Sequence, residues 1–493
     1  MTTIVAVSDL RDWALHVPGV EVVLAKDYLS EPRWSELEGV RVFNLCRRYR
    51  YQSEGYYVSL LAMARSHTAI PNLNTLLEMR SRTMVRAVDD ELEESIQRNL
   101  RKIRSNEFVL SIYFGENLAK RYSALTQRLF NLFPVPLLQA HFSRTNGRWR
   151  LQRIEPIPAR QIPEPHLPFV RAAAERYFAR PRYLVRRRRP PRFHLAILVD
   201  PKEPFPPSNA GALRRFERAG QRVGFGVDRI GRDDFSRLAE FDALFIRTTT
   251  YVNHFTFRFA QKAQAEGLAV IDDPQSIIRC GNKVFLAEAL VQHDLPTPRT
   301  VVGNRFNLNE IVPAVGLPCV LKYPDSAFSQ GVSRCETEEE LVEKATGILE
   351  VSDLFIAQEF LPTEFDWRVG VFEQKPLYAC RYHMVDKHWQ IVRHHGASPE
   401  FGKIEPIPLD LVPAGVVRTA VRAARCVGDG LYGVDLKRIK GKSYVMEVND
   451  NPNIDAGFED SVMQEELYRT VMQGLWDRLL RLKSERGGQL APR

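Results

Sequence analysis

Six cysteines in 493 residues, Cys46, Cys280, Cys319, Cys335, Cys380 and Cys426, form no CxxC pair and pair with no histidine at zinc-like spacing. A disulfide framework and a zinc ribbon are thereby excluded, and reduced thiols in a cytoplasmic protein are expected. No run approaches the ~18 apolar residues of a membrane span. The opening MTTIVAVSDLRDWALH meets charge at Asp9, Arg11 and Asp12 before a signal-peptide core could form. The expected protein is neither secreted nor membrane-inserted. No GxGxxG or GxxxxGK[ST] pattern is present, so a nucleotide would need another phosphate-binding design. No repeat of about 20–50 residues is visible.

What is present is a chain long enough for several cores. Hydrophobic residues make up 44% and charged residues 26%, a soluble globular balance. Net charge is +9, but nine arginines and one acid, Glu175, fall between His166 and Arg192, so the rest of the chain is nearly neutral. That pattern describes one basic connector and argues against a globally basic nucleic-acid binder. Prolines at 156, 158, 163, 165 and 168 precede it, so residues 166–192 are expected to form an extended, solvated linker.

The linker divides two patterned regions. Residues 1–165 read as a small α/β domain, with strands at Thr3–Val7, Val40–Leu45 and Phe108–Phe114 and a charged helix at Val85–Ile103. Ser53 is a candidate N-cap for an apolar helix from Tyr56, whose free amides could receive a carboxylate. Residues 193–275 alternate strands at Leu195–Val199, Arg222–Val227, Ala243–Arg247 and Ala269–Ile271 with helices at Ala210–Ala219 and Phe255–Ala265, which implies a small parallel sheet. Residues 276–485 carry the chemistry, and 486–493 are a tail.

The strongest chemical signal is the segment from Tyr432 to Asn449, two alternating runs flanking Lys440-Gly441-Lys442 and therefore a hairpin. If those three residues form the loop, Asp435 lies opposite Glu447. Val434, Leu436, Met446 and Val448 then share one face, and Asp435, Lys437, Glu447 and Asn449 the other. Facing carboxylates repel unless a cation compensates. Mg²⁺, or Mn²⁺ in its place, suits Asp435, Glu447 and Asn449 because hard cations take carboxylate and amide oxygens. A surface ladder neutralised by Lys437 is the plain alternative.

Further signals lie upstream. Lys322 ends an apolar strand and precedes a loop with Ser329, Gln330 and Gly331, whose amides and hydroxyls could cover phosphates. Lys283 opens an apolar helical run. Phe355–Pro362, with Gln358, Glu359 and Phe360, could offer backbone groups to an adenine edge. Arg368, Arg381 and Arg393 on successive strands suit an anionic substrate or a transferring phosphate.

In this order, these pieces resemble the ATP-grasp superfamily, most closely the RimK-like glutamate ligases, over about residues 193–485. The resemblance implies an α/β ATP-grasp fold: a small parallel pre-ATP-grasp sheet at 193–275, then a catalytic domain of two α+β lobes at 276–485. The separate N-terminal domain matches a subgroup pattern in Tyr49-Arg-Tyr-Gln-Ser-Glu-Gly-Tyr56. It further implies an ATP site at Lys283, Lys322, Gln358, Glu359, Phe360 and Asp366, with Asp366 reaching the ribose, and a metal triad at Asp435, Glu447 and Asn449. The implied activity is ATP-dependent carboxylate–amine ligation through an acyl phosphate, joining an amino-acid amine to a peptide or small-molecule carboxylate, with Arg368, Arg381 and Arg393 as catalytic candidates. One departure falls on the substrate side: Val392-Arg393-His394-His395-Gly396-Ala397 stands where the family has Arg-Ser-Asn. Two other readings stay open, an RNA- or acidic-partner scaffold using the basic linker and a kinase-like phosphotransferase. A homo-oligomer is also open.

Overall fold

A computed structural model describes residues 2–13, 17–37, 39–145, 147–179, 191–325, 331–386, 388–395 and 398–487. Thr3–Val7, buried along its whole length, pairs in parallel with Val20–Leu24 on one side and Arg41–Asn44 on the other, and Thr68–Ile70 closes the sheet. A strand covered on both faces needs a continuous apolar run rather than alternation, which is why Thr3–Val7 and Val40–Leu45 stand out in the sequence, whereas the edge strands Val20–Leu24 and Thr68–Ile70 do not. An antiparallel sheet of Glu107–Tyr113, Leu137–Thr145 and Arg148–Pro156 follows, and the helix Arg82–Leu100 packs against its last strand.

The expected linker is only partly a linker. Leu167–Ala179 is a helix whose Val170, Ala173, Ala174 and Tyr177 are buried in the core of the first 165 residues. Those four positions are spaced i, i+3, i+4 and i+7, an apolar stripe that outweighs the flanking prolines and arginines. Residues 180–190 lie outside the described residues. Ser53 precedes the helix Glu54–Ala64 as expected but does not cap it, because its hydroxyl donates to the Arg48 carbonyl at 2.9 Å.

A second parallel sheet has the order Ala269–Ile271, Ala243–Ile246, Phe193–Leu198, Phe225–Ile230. The strand expected at Arg222 starts later, since the helix Ala210–Val223 runs on through that position. Beyond it lie two antiparallel lobes. The smaller is ordered Thr300–Gly303, Phe355–Glu359, Cys319–Lys322, Val332–Cys335; the larger Ile404–Ile407, Lys375–His383, Phe365–Phe372, Leu431–Ile439, Lys442–Asp450. The helix Ala414–Val427 buries Val416, Ala420, Ala423, Ala424 and Val427 against one face of the larger lobe, leaving its other face for the cleft. The C-terminal helix Glu465–Gly487 returns to pack on Ala210–Val223. A small parallel sheet followed by two lobes is the α/β fold class that the resemblance implied. No helix among the described residues is long and apolar enough to cross a membrane.

The N-terminal unit is joined to the second sheet by buried polar contacts. Arg41 and Glu240, side chains 1% and 3% exposed, form an ion pair at 2.9 Å, and the Tyr177 hydroxyl donates to Glu240 at 3.0 Å. Lys262 adds a hydrogen bond to the Asn131 carbonyl at 2.7 Å. Removing one partner of a buried pair strands the other charge, so Glu240→Ala should cost about 3–5 kcal/mol, whereas Arg41→Met with Glu240→Leu should recover most of that loss. Chemical denaturation of the wild type, single and double variants checks both statements.

Candidate active site

The hairpin forms the floor of a cleft between the two lobes, and its register differs from expectation in an informative way. The turn has two residues, Lys440 (φ +49°) and Gly441 (φ +81°), with Ile439 opposite Lys442. That alone would set Asp435 against Met446. A β-bulge between Asp435 and Leu436 shifts the pairing, so Asp435 does lie opposite Glu447. Val445, not Met446, joins the buried face, and Met446 is turned into the cleft lining.

Each acid in the cleft has a protein cation. Glu447 pairs with Lys283 at 2.9 Å; Asp435 is held by one edge of the Arg368 guanidinium, whose Nε and Nη2 donate to its two oxygens, the latter at 2.8 Å; Asp366 accepts from Lys437 at 2.6 Å. The unrelieved repulsion expected between Asp435 and Glu447 is therefore absent, and so is the Lys437 ladder, because Lys437 serves Asp366 and Thr363 instead. Burial pushes the Glu447 carboxyl up, but Lys283 and Lys322 outweigh it and hold the acid below the ordinary glutamate value. Gly433 makes room for the Arg368 clamp: a Cβ there would stand 3.0 Å from Arg368 Cδ and 2.8 Å from Pro452 Cβ.

Lys283 and Lys322 are brought together by a staple. Asn282 caps the helix Lys283–Gln292, donating through its side chain to Asp325 at 2.8 Å, while the Lys283 amide donates to the Pro324 carbonyl at 2.8 Å. The loop leaving Lys322 and the helix opening at Lys283 are thus one structure. Lys322 donates to Gln358 at 2.9 Å, and Gln358 to Thr300 at 2.9 Å. Burial pushes the Lys322 ammonium down to about 8, reinforced by Lys283 and Lys437 against the pull of Glu447.

A cavity of about 130 Å³ is lined by Lys283, Lys322, Gln358, Glu359, Phe360, Asp366, Asp435 and Glu447 together. Val320, Val332, Leu361, Trp389 and Met446 also line it without a role given by the sequence, and so does Lys437, which the hairpin pattern sets on the acidic face. Lys437 had a signal, its two-residue offset from Asp435. The strand Phe355–Glu359 is central and paired on both sides, so its own backbone is committed to neighbours, and of the segment expected to meet an adenine edge it is the end, Glu359, Phe360 and Leu361, that lines the cleft. Glu359 turns its carboxylate to Arg299 at 2.6 Å.

The three arginines separate. Arg368 shares a face with Asp435, but Arg381 lies opposite Trp367 in the ladder and stacks on the Phe365 and Trp367 rings, both at 5.0 Å, on the other side of the sheet. Arg381 is not brought to the cleft. Arg393 sits on the strand Val392–His395, with its side chain outside the described residues, as are Ser329 and Gln330; Gly331 is described and accepts from the Tyr323 amide at 3.1 Å.

For a divalent cation, the donor set is suitable. Two carboxylates and a carboxamide line one ladder, with Asn449 donating to Asp435 at 3.1 Å, which holds the amide beside the acid. Among the described residues no three His, Cys, Asp or Glu cluster as metal ligands.

The sequence pattern of the RimK-like ATP-grasp N-terminal domain matches residues 25–173, and that of the RimK-like ATP-grasp domain matches residues 280–464, together more than half of the chain. The chain belongs to the RimK-like ATP-grasp family. As a RimK-like protein it is an ATP-dependent ligase of the carboxylate–amine class. Relatives include a probable alpha-L-glutamate ligase of Cellvibrio japonicus, 25% identical over 223 residues (44% of this chain, 71% of the relative). Another is an alpha-aminoadipate–LysW ligase of Saccharolobus solfataricus, 25% identical over 193 residues (38% and 67%). Among solved structures, D-alanine–D-alanine ligase from Bacillus anthracis aligns with a TM-score of 0.44 at 14% identity, over 60% of this chain and 100% of that one. A RimK domain ATP-grasp protein from Sphaerobacter thermophilus aligns with a TM-score of 0.43 at 16% identity, over 57% and 98%.

The Lys322 ammonium gives this RimK-like cleft a pH dependence with a definite sign. It is charged below about 8 and loses its charge above that value, so phosphate binding should weaken as pH rises. Between pH 7 and 9 the affinity for AMP-PNP should fall roughly tenfold, in proportion to the charged fraction. Lys322→Arg stays charged throughout and should flatten the profile. Equilibrium binding across that range checks this; identical profiles would remove Lys322 from the phosphate site.

Proposed function

We propose that the cleft joins an amino acid, glutamate or another, to the carboxylate of a peptide or small molecule. The observation that carries the reading is the meeting of Lys283, Lys322 and the Asp435–Glu447 ladder in one cleft between two lobes. Lys283 and Lys322 would hold the phosphates as point charges. Val320, Val332, Phe360, Leu361 and Met446, which line the cleft, would give a purine apolar contact, and Asp366 would reach the ribose. Asp435, Glu447 and Asn449 would hold Mg²⁺, which when bound neutralises and orients phosphate oxygens.

In the reaction, an oxygen of the substrate carboxylate attacks the γ-phosphorus, the bond to the β-phosphate oxygen breaks and ADP leaves. The amine then attacks the acyl carbon, the carbon–oxygen bond to phosphate breaks, and the amine loses a proton to give the amide. Arg368 is the candidate among the three arginines, because it alone of those whose side chains are described faces the acidic ladder; its clamp on Asp435 also positions that acid. With the carboxylate replaced by its neutral amide no acyl phosphate can form.

Incubation with ATP, Mg²⁺ and panels of carboxylates and amino acids, reading ADP and product mass, tests the proposal. ADP release should require both partners, and hydroxylamine in place of the amine should give a hydroxamate. Lys283→Ala and Lys322→Ala should each lower turnover about 10²-fold or more with the fold retained. A stable phosphorylated product without amide would convert the reading to phosphotransfer.

A further inference from the structure

The N-terminal sheet has a switch point of its own. From Thr3–Val7 the chain goes out to Val20–Leu24 on one side, then crosses back to Arg41–Asn44 on the other. Crossovers therefore diverge at the carboxyl ends of the two central strands, the place where open parallel sheets bind ligands. The residues following Thr3–Val7 open there onto a cavity of about 670 Å³, closed by the helix Leu167–Ala179 and the turn before it. That volume lies within the range of about 300–1,000 Å³ typical of small-molecule sites. None of its walls belongs to the ATP cleft.

Its lining has two characters. Trp13, Ile162 and Val170 are buried and apolar, while Arg11, Arg160 and Arg171 stand exposed around them. Arg11 is bridged to Asp9 at 2.6 Å, but Arg160 and Arg171 make no ion pair among the described residues. Of the acids present, Asp12 is already clamped by two Arg47 hydrogen bonds of 2.8 Å, and Glu175 lies one helical turn beyond Arg171. The Trp13 indole Nε1–H, on a side chain within a residue only 4% exposed, finds no acceptor among the described residues. The Trp34 and Trp149 indoles are alike in this, so it is the Trp13 ring rather than its N–H that serves the cavity, as an apolar wall. The first turn of the helix Leu167–Ala179 adds its positive end to the same cavity.

We propose that this cavity is a second ligand site, taking an organic carboxylate with an apolar body. The carboxylate would accept from the Arg160 and Arg171 guanidiniums, and the body would cover Trp13, Ile162 and Val170. Only the choice of a carboxylate over another anion rests on the ligase reading, as the class of compound this enzyme consumes or makes.

The probe is N-acetyl-L-phenylalanine, with N-acetyl-L-phenylalaninamide as neutral control and phenyl phosphate as a rival anion, titrated into the full chain carrying 5-fluorotryptophan. Six tryptophan signals are available, and Trp13→Phe assigns the relevant one. The carboxylate should move the Trp13 signal saturably, and the amide should bind at least tenfold more weakly. Arg160→Ala with Arg171→Ala should weaken carboxylate binding at least tenfold while AMP-PNP affinity stays at the wild-type value. No saturable shift, equal binding of the amide, or full affinity in the double variant would overturn the site. Tighter binding of phenyl phosphate would overturn the choice of carboxylate. Because AMP-PNP reports on the ATP cleft separately, failure here with intact nucleotide binding and ligation would leave the ligase reading standing.

Discussion

One extra residue in the strand Lys442–Asp450 sets the chemistry of the cleft. With a two-residue turn at Lys440–Gly441 and no bulge, Glu447 would pair with Val434 and point into the apolar contact with the helix Ala414–Val427. A strand alternates faces with period two, so a slip of one residue moves every later side chain to the other side. The bulge makes that slip once, in the middle of the strand. Val445 stays in the core, Glu447 and Asn449 reach the cleft beside Asp435, and the left-over Met446 becomes part of the cleft wall.

Around that ladder the acids and cations are matched one to one, Glu447 with Lys283, Asp435 with Arg368 and Asp366 with Lys437. The matching gives each of these buried acids a cation, while Lys322 beside them donates to the neutral Gln358 instead. The strand's continuation is fixed from outside the lobe by Arg247, a fully buried side chain of the parallel sheet. Its guanidinium donates to Asn451 at 2.8 Å and to the Pro452 carbonyl at 2.9 Å, while Asn451 donates back to the Thr248 carbonyl at 2.7 Å. The polar turn after Asn449 therefore takes its position from a neighbouring sheet.

Much of this was legible in the residues. The two central strands of the first parallel sheet, the strands of the second, the helices at 85–103 and 255–265, and the facing of Asp435 and Glu447 follow from periodicity and face matching. The facing came out right for an incomplete reason: a three-residue loop and a bulged two-residue loop give the same pairing at Asp435, and only side-chain environment separates them. What stayed hidden depends on partners distant in sequence. Arg381 looks like Arg368 in sequence, yet a one-residue offset against Trp367 sends it to the other face. The helix Leu167–Ala179 shows its stripe plainly, but arginines and prolines crowd the same window and suggested an extended chain. Leu361 and Trp389 enter the cleft through loop geometry, for which the sequence carries no period.

The joint between the N-terminal unit and the rest bears on how this enzyme can be taken apart. A cut at residue 165 looks natural in the sequence, but it would leave Val170, Ala173, Ala174 and Tyr177 with no core to cover them and Glu240 without Arg41, its partner at 2.9 Å, keeping only Arg237 at 3.6 Å. The remaining fragment would carry an exposed apolar helix face and an acid stripped of its nearer cation, both unrelated to catalysis. Its behaviour would report that exposure rather than the role of the missing unit. The boundary that respects the packing falls after Ala179, and even there Arg41 and Glu240 need apolar replacements before either half is a fair surrogate for itself in the whole.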